Sequence, residues 1–301
     1  MTSAGPGAFA WFPPSLTVTD DEVTVAAQGC FVIFRYAIRP RPHIATLCGP
    51  AGRNLLEDSP VDHLHHRGVW WGHGDVNGVD YYLELAGGDG PAERGAIEHV
   101  RWRSISEEGR RFGLVEELAW RDHRGEVVID ELRSVVVDLA AGDRYVVDLD
   151  SRYTALVDLA FGDTKEAALP GIRPAEALTT AGGAAMTNAR GQTGEAATFG
   201  QPAEWLDISS SRSVIYLGAE VTEGVACVDH PENPGYPNRW FTRGYGPVSP
   251  FPGHHFQPDR ALARGAEMRL RHRLLIHAGD AEAAGVAAAA IEYGAPPETA
   301  P

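Results

Sequence analysis

Three long segments in the middle of the chain constrain its fold more than any other feature. Phe112–Trp120, Val127–Leu139 and Tyr145–Leu156 are rich in valine, leucine and aromatic residues. Turn signals separate them, at Asp122-His-Arg-Gly and Ala141-Gly-Asp. Side chains of this kind fit a pleated, half-buried surface, and a repeat of ~12–18 residues between turns predicts long antiparallel strands joined by hairpins. The same pattern recurs at Leu16–Thr19, Val23–Val25, Cys30–Tyr36 and Ile44–Leu47. After residue 200 it returns at Trp205–Ser210, Val214–Leu217, Val225–Asp229 and Met268–His277. In the last of these Met268, Leu270, His272, Leu274 and Ile276 share one face, with the arginines largely on the other. Helical patterning is confined to Asp280–Tyr293, an alanine-rich stretch with Asp280 placed as its N-cap.

These elements predict a mainly β protein: one large antiparallel two-sheet β-sandwich closed by a C-terminal helix. The expected domain runs from 15 to 294, between a flexible N-terminus (1–14) and a flexible C-terminus (295–301). No repeat, linker or composition shift divides it.

Composition excludes several function classes. The chain of 301 residues carries a formal net charge of −15, which disfavours nucleic acid and anionic membrane surfaces as partners. No run of ~18 apolar residues exists, so no membrane-spanning helix is expected. Residues 1–10 lack the basic and apolar parts of a signal peptide, and a cytoplasmic location is expected. The three cysteines, Cys30, Cys48 and Cys227, lie apart in apolar stretches and read as buried free thiols.

Function is concentrated between His63 and Tyr82. His63, His65, His66 and His73 fall within eleven positions, among Arg67, Trp70, Trp71, Asp75, Asn77 and Asp80. A short strand around Val69–Gly72, flanked by loops, would aim these groups into one cleft. His66 and His73 are the expected proton-transfer groups. If His63 and His65 sit on a strand, they share a face and form a candidate pair for a divalent metal, with His73, Asp75 or His99 as third ligand. Arg67, Trp71, Asp75 and Asn77 are expected to bind substrate; Asp75 and Asn77 also suit a turn.

Two further motifs join this set. Gly162-Asp-Thr-Lys-Glu offers Lys165, the only lysine of the chain, beside Glu166 as a second acid–base pair. Asp229-His-Pro-Glu-Asn-Pro-Gly-Tyr-Pro-Asn-Arg-Trp, followed by Arg243-Gly-Tyr-Gly and His254-His255, mixes aromatic and hydrogen-bonding residues as a sugar-binding face would. Arg173, Glu195, His230 and Arg239 complete the expected substrate contacts. P-loop, Rossmann and nucleophile-elbow fingerprints are absent.

The run H-x-H-H-R-G-x-W-W-x-H-G-D-V-N-G-x-D resembles the bacterial family labelled PmoA-like, after a methane oxygenase component. Gly171-Ile-Arg, Gly191-Gln-Thr-Gly-Glu, Asp229-His-Pro-x-Asn-Pro and Arg273-Leu-Leu-Ile-His extend the resemblance over roughly residues 16–290. The sequence departs from the pattern at Leu64, where the family more often has proline. A membrane oxygenase subunit needs long apolar spans, and the chain has none. The resemblance therefore implies a soluble β-supersandwich similar to galactose mutarotase-like proteins.

The reading that follows is a carbohydrate-active enzyme doing acid–base chemistry, of epimerase, mutarotase, lyase or hydrolase type, on a sugar or keto-sugar. Its partner is a small-molecule carbohydrate; a divalent metal is the one cofactor the sequence allows, none being specified with certainty, and a homodimer is allowed. The alternatives are a histidine-ligated metal-dependent oxygenase or hydrolase, and a non-catalytic sugar-binding module. The enzyme reading places Lys165, Arg173 and His230 within ~10–12 Å of the His66/His73 cluster, in one pocket.

Overall fold

The three central segments pair in chain order. Arg111–Arg121, Val127–Asp138 and Arg144–Ala155 form consecutive antiparallel hairpins, as the turn signals predict. Ala96–Glu108 extends this sheet on one side, and Glu267–Ala278 on the other. Ala219–Asp229, Trp205–Val214 and Ala185–Asn188 follow, completing eight antiparallel strands. The first sheet also has eight described strands. Pro14–Val18, Glu22–Ala27, Phe31–Ala37, His43–Leu47, Val69–His73 and Ala167–Ile172 lie in chain order, and the hairpin Phe241–Thr242/Val248–Ser249 ends it. The computed structural model describes residues 13–27, 31–83, 93–139, 144–214, 219–250 and 260–295. The expectations for the chain ends, Cys30 and His254-His255 lie outside them.

One apolar core joins the inner faces of both sheets. Phe34, Leu47 and Trp71 of the first sheet pack with Leu114, Val147 and Leu274 of the second. Alternation along each strand decides what faces this core. On Val69–His73, Trp71 points inward, whereas Trp70 packs outward with Tyr82 and Ala168. On Glu267–Ala278, Leu274 and Ile276 point inward, and Leu275 points outward against the C-terminal helix. The predicted arginine face is present: Arg269 and Arg273 bind Asp150 and Asp148 across the neighbouring strand.

The helix is shorter than its alanine content predicts. It spans Val286–Gly294, because Gly285 adopts a left-handed conformation (φ 67°) that no α-helix continues through. Asp280 still caps, but caps a turn: its carboxylate accepts the Ala283 N–H at 2.9 Å.

A charged network lies inside the sandwich. The Arg133 guanidinium stands 3.7 Å over the Trp71 ring and bonds Glu131 at 2.8 Å and the Tyr36 hydroxyl at 3.0 Å. The Tyr36 hydroxyl donates to Glu116 (2.5 Å), whose other oxygen meets His99. The indole of Trp120 donates to Glu131 at 2.8 Å. Each carboxylate thus has several partners, which burial requires.

Gly68 sets the loop that precedes the strand Val69–His73. Its φ is +58°, and a Cβ there would collide with the Ile44 carbonyl oxygen. Gly68→Ala is therefore expected to cost about 2–4 kcal/mol in stability, from backbone strain plus the clash. A thermal melt checks this; an unchanged midpoint would contradict it.

Candidate functional site: an imidazole loop on the outer face of the first sheet

The loop 57–68 is stapled to the strand end at Arg173. Glu57 N–H donates to the Arg173 carbonyl (3.0 Å), Arg173 N–H to the Gly68 carbonyl (2.7 Å), and Gly68 N–H to the Glu57 carbonyl (3.0 Å). A turn closes the loop tip, where His66 N–H meets the His63 carbonyl at 3.0 Å. His63 and His65 are therefore loop residues, and the strand periodicity expected to align them does not operate.

The rings nevertheless gather. His66 stacks on His63 (centroids 4.6 Å apart, 6° between planes) and on Trp70 (4.9 Å). His65 meets His66 edge to face at 4.6 Å and approaches Tyr82 at 5.4 Å. The other face of His63 carries Tyr245, 5.1 Å away, from the tip of the hairpin that ends the sheet. Arg173 reaches beneath: its Nη1 donates to His66 Nδ1 at 3.3 Å, and its Nη2 to both Asp62 oxygens at 3.2 Å. Its Nε donates to Glu57 at 3.3 Å.

That donation fixes the tautomer of His66. Arginine has no acceptor, so Nδ1 must accept and Nε2 carries the proton. Nε2–H then points to the Tyr82 hydroxyl, 3.4 Å away. Burial, then the neighbouring His65 and His63 and the Arg173 cation, push the His66 pKa down to about 2. His66 is thus held as the neutral imidazole at neutral pH, with its Nδ1 lone pair engaged by Arg173.

Glu166 is the titratable group whose environment suits proton transfer. It lies just before the strand Ala167–Ile172, where its carbonyl accepts the Gly74 N–H at 2.6 Å. Burial raises its pKa above the ordinary carboxylate value, with Asp80 adding to the effect and Lys165 opposing it. Glu166 stands two residues before Ala168, which packs outward with Trp70 and Tyr82, so alternation turns its side chain to that same outer face. Lys165 stands 3.8 Å from Glu166 with its side chain 64% exposed.

The remaining expected residues go elsewhere. His73 and Trp71 point to the inner face of the sheet, opposite Trp70; His73 packs edge-on against Phe161, and its Nδ1 accepts the Asp75 N–H. Asp75 caps a turn through Gly78 N–H, and Asn77 (φ 55°) bridges the Asp158 carbonyl and Ala160 N–H, the turn role their types allow. Arg67 turns to Asp58 and Ser59. Glu195 holds Gly244 N–H and Arg243, and Arg239 donates to the Gly200 carbonyl. His230 packs on Tyr293 of the C-terminal helix, which covers the outer face of the other sheet. One shared pocket including His73 and His230 is thus not what forms: alternation turns His73 to the inner face of the first sheet, and His230 follows a strand of the second sheet and packs under the C-terminal helix. Among the described residues, no three His, Cys, Asp or Glu side chains form a group able to hold a metal ion. Cys48 and Cys227 are free and buried.

Sequence reasoning missed Glu57, Asp62 and Tyr82. Asp62 adjoins His63 and Tyr82 closes the histidine-rich stretch, but only the fold shows that they face Arg173 and His66.

The sequence model of a family described as a family of unknown function, DUF6807, matches residues 22–291. No curated protein matches the chain. Among solved structures, similarity extends to a polysaccharide lyase (12% identity, TM-score 0.35, 93% of this chain covered). The chain spans only 34% of that lyase's length. It also extends to the GalM/aldose epimerase homologue from C. elegans (7% identity, TM-score 0.34, 89% of this chain and 99% of that one). The PmoA-like label is not shown by any of these. No helix among the described residues is long and apolar enough to cross a membrane.

Proposed function

The chain belongs to DUF6807, a family of unknown function, and we propose for it an acid–base enzyme acting on a sugar or keto-sugar at the imidazole loop. The observation that carries this reading is the stack Tyr245–His63–His66–Trp70 with Glu166 at its face. A sugar ring presents C–H faces that lie on aromatic rings, and hydroxyls that hydrogen-bond to groups around them. Tyr245, 40% exposed, supplies the outermost ring. Trp70 adds a buried indole N–H with no hydrogen-bond partner, a donor left for a ligand oxygen.

The roles divide by burial. Glu166 is the proton-transfer group: partial burial moves a carboxyl toward the pH at which it both gives and takes a proton efficiently. Lys165 beside it polarises a carbonyl or steadies the carboxylate. His66, neutral and locked by Arg173, is a positioning residue that orients His63 and Tyr82. Arg173 is already occupied by Glu57 and Asp62, so it holds the loop and is not spent on substrate charge.

The test is proton NMR of the purified protein with a panel of aldoses, ketoses and oxidised sugars. Turnover of at least one is expected, with kcat falling at least 100-fold in Glu166→Gln. Binding without product in every case would sink the enzyme reading, and neither binding nor product would sink the sugar reading altogether. Unchanged turnover in Glu166→Gln would remove that residue's assignment.

A further inference from the structure

A cavity of about 520 Å3 opens where the hairpin turn 122–127 meets the Asn77 loop. Adjacent tyrosines separate it from the imidazole loop. Tyr82 packs outward beside His66, whereas Tyr81 points to the inter-sheet side and packs on Trp120 at 5.2 Å. Asn77, singled out by sequence as a binding residue, helps build this wall by tying its loop to Asp158 and Ala160.

The lining has two parts. Val76, Val79, Val127, Val128 and Val157 give an apolar floor. Four carboxylates stand around it: Glu93, Asp122, Glu126 and Asp158. Two are matched, Glu93 by His123 (3.1 Å) and Asp122 by Arg124 (3.4 Å). Glu126 and Asp158 make no ion pair among the described residues. Independently, Tyr81 is only 1% exposed, lines the cavity, and its hydroxyl has no hydrogen-bond partner. A buried polar group left open in this way calls for an explanation.

We propose that this cavity binds a small organic cation, an ammonium ion with an apolar body. The hydrocarbon lies on the valines, and the N–H donors meet Glu126, Asp158 and the Tyr81 oxygen. The volume falls within the ~300–1,000 Å3 range of small-molecule sites. Two exposed carboxylates without an ion pair, beside an apolar floor and the buried Tyr81 hydroxyl, favour a positive ligand over a neutral polyol or an anion, because opposite charges attract and like charges repel across the cavity mouth. The proposal does not rest on the sugar-enzyme reading.

Calorimetric titration of the full chain at low salt tests it, with benzylammonium, cyclohexylammonium and putrescine as probes and with benzyl alcohol and benzoate as matched controls. At least one amine is expected to bind saturably, at least tenfold tighter than benzyl alcohol, with benzoate silent. Glu126→Gln combined with Asp158→Asn keeps the hydrogen-bond acceptor that Asp158 offers Arg264 N–H, and should weaken the amine at least tenfold. Tyr81→Phe should weaken it severalfold, and His66→Ala should leave it unchanged. No saturable amine binding, equal binding of benzyl alcohol, an unaffected double variant, or loss of binding in His66→Ala would each overturn the proposal.

Discussion

Arg133→Ala is expected to lower the unfolding free energy by about 3–5 kcal/mol. The Arg133 and Glu131 side chains are both fully out of solvent. Removing the cation leaves Glu131 with only the Trp120 indole, and takes from Tyr36 the donor that balances its short bond to Glu116. The contact between Arg133 and the Trp71 face goes as well. An uncompensated buried carboxylate costs far more than a lost surface pair, because little water reaches it. Urea unfolding followed by tryptophan fluorescence measures the loss. Arg133→Met with Glu131→Leu removes both charges together and should recover at least half of it. If Arg133→Ala unfolds at the wild-type urea concentration, the network is not what holds the sheets in register. If the double variant is no better than the single one, the cost lies in packing and not in charge.

The network shows where sequence reading stops. The strands were legible because their information is local: alternation in Val127–Asp138 and the turn at Asp122 need no knowledge of partners. The same alternation marks Glu131 and Arg133 as facing one way, but it does not say that Tyr36, nearly a hundred residues earlier, comes to meet them. The imidazole loop divides in the same manner. That His63, His65 and His66 are close to one another follows from their spacing, and Arg173 joins them as expected. That His73 and His230 do not join depends on which face of which sheet each strand presents, a property of the paired sheets. Protonation was the least legible part. A histidine beside an arginine reads as a plausible base in the sequence; that its acceptor nitrogen is already taken by the Arg173 donor is visible only in the fold.

Neutral buried imidazoles also set how the protein responds to acid. Burial pushes the His272 pKa down to about 3, as it pushes His66 down to about 2. In the unfolded chain both return to ~6.5, so the unfolded state binds more protons at every pH between these limits. Stability from each is whole above pH ~6.5 and is lost as pH falls, by about 1.4 kcal/mol per unit. Asp229 works the other way. Burial raises its pKa to about 6, so the folded state holds a proton that the unfolded state releases, and stability rises as pH falls from about 6 to ~4. Between pH 6.5 and 4 the two histidines lower stability as pH falls and Asp229, 3.6 Å from His272, offsets part of that loss. Most domains have only about 5–15 kcal/mol in all, so a loss of this sign should be measurable on mild acidification. Urea midpoints measured from pH 7.5 to 4 should fall steeply, and His66→Asn should flatten the slope by about one proton. A flat profile across that range would mean that these imidazoles take up protons without unfolding the chain, and that the imidazole loop opens to water more readily than its packing indicates.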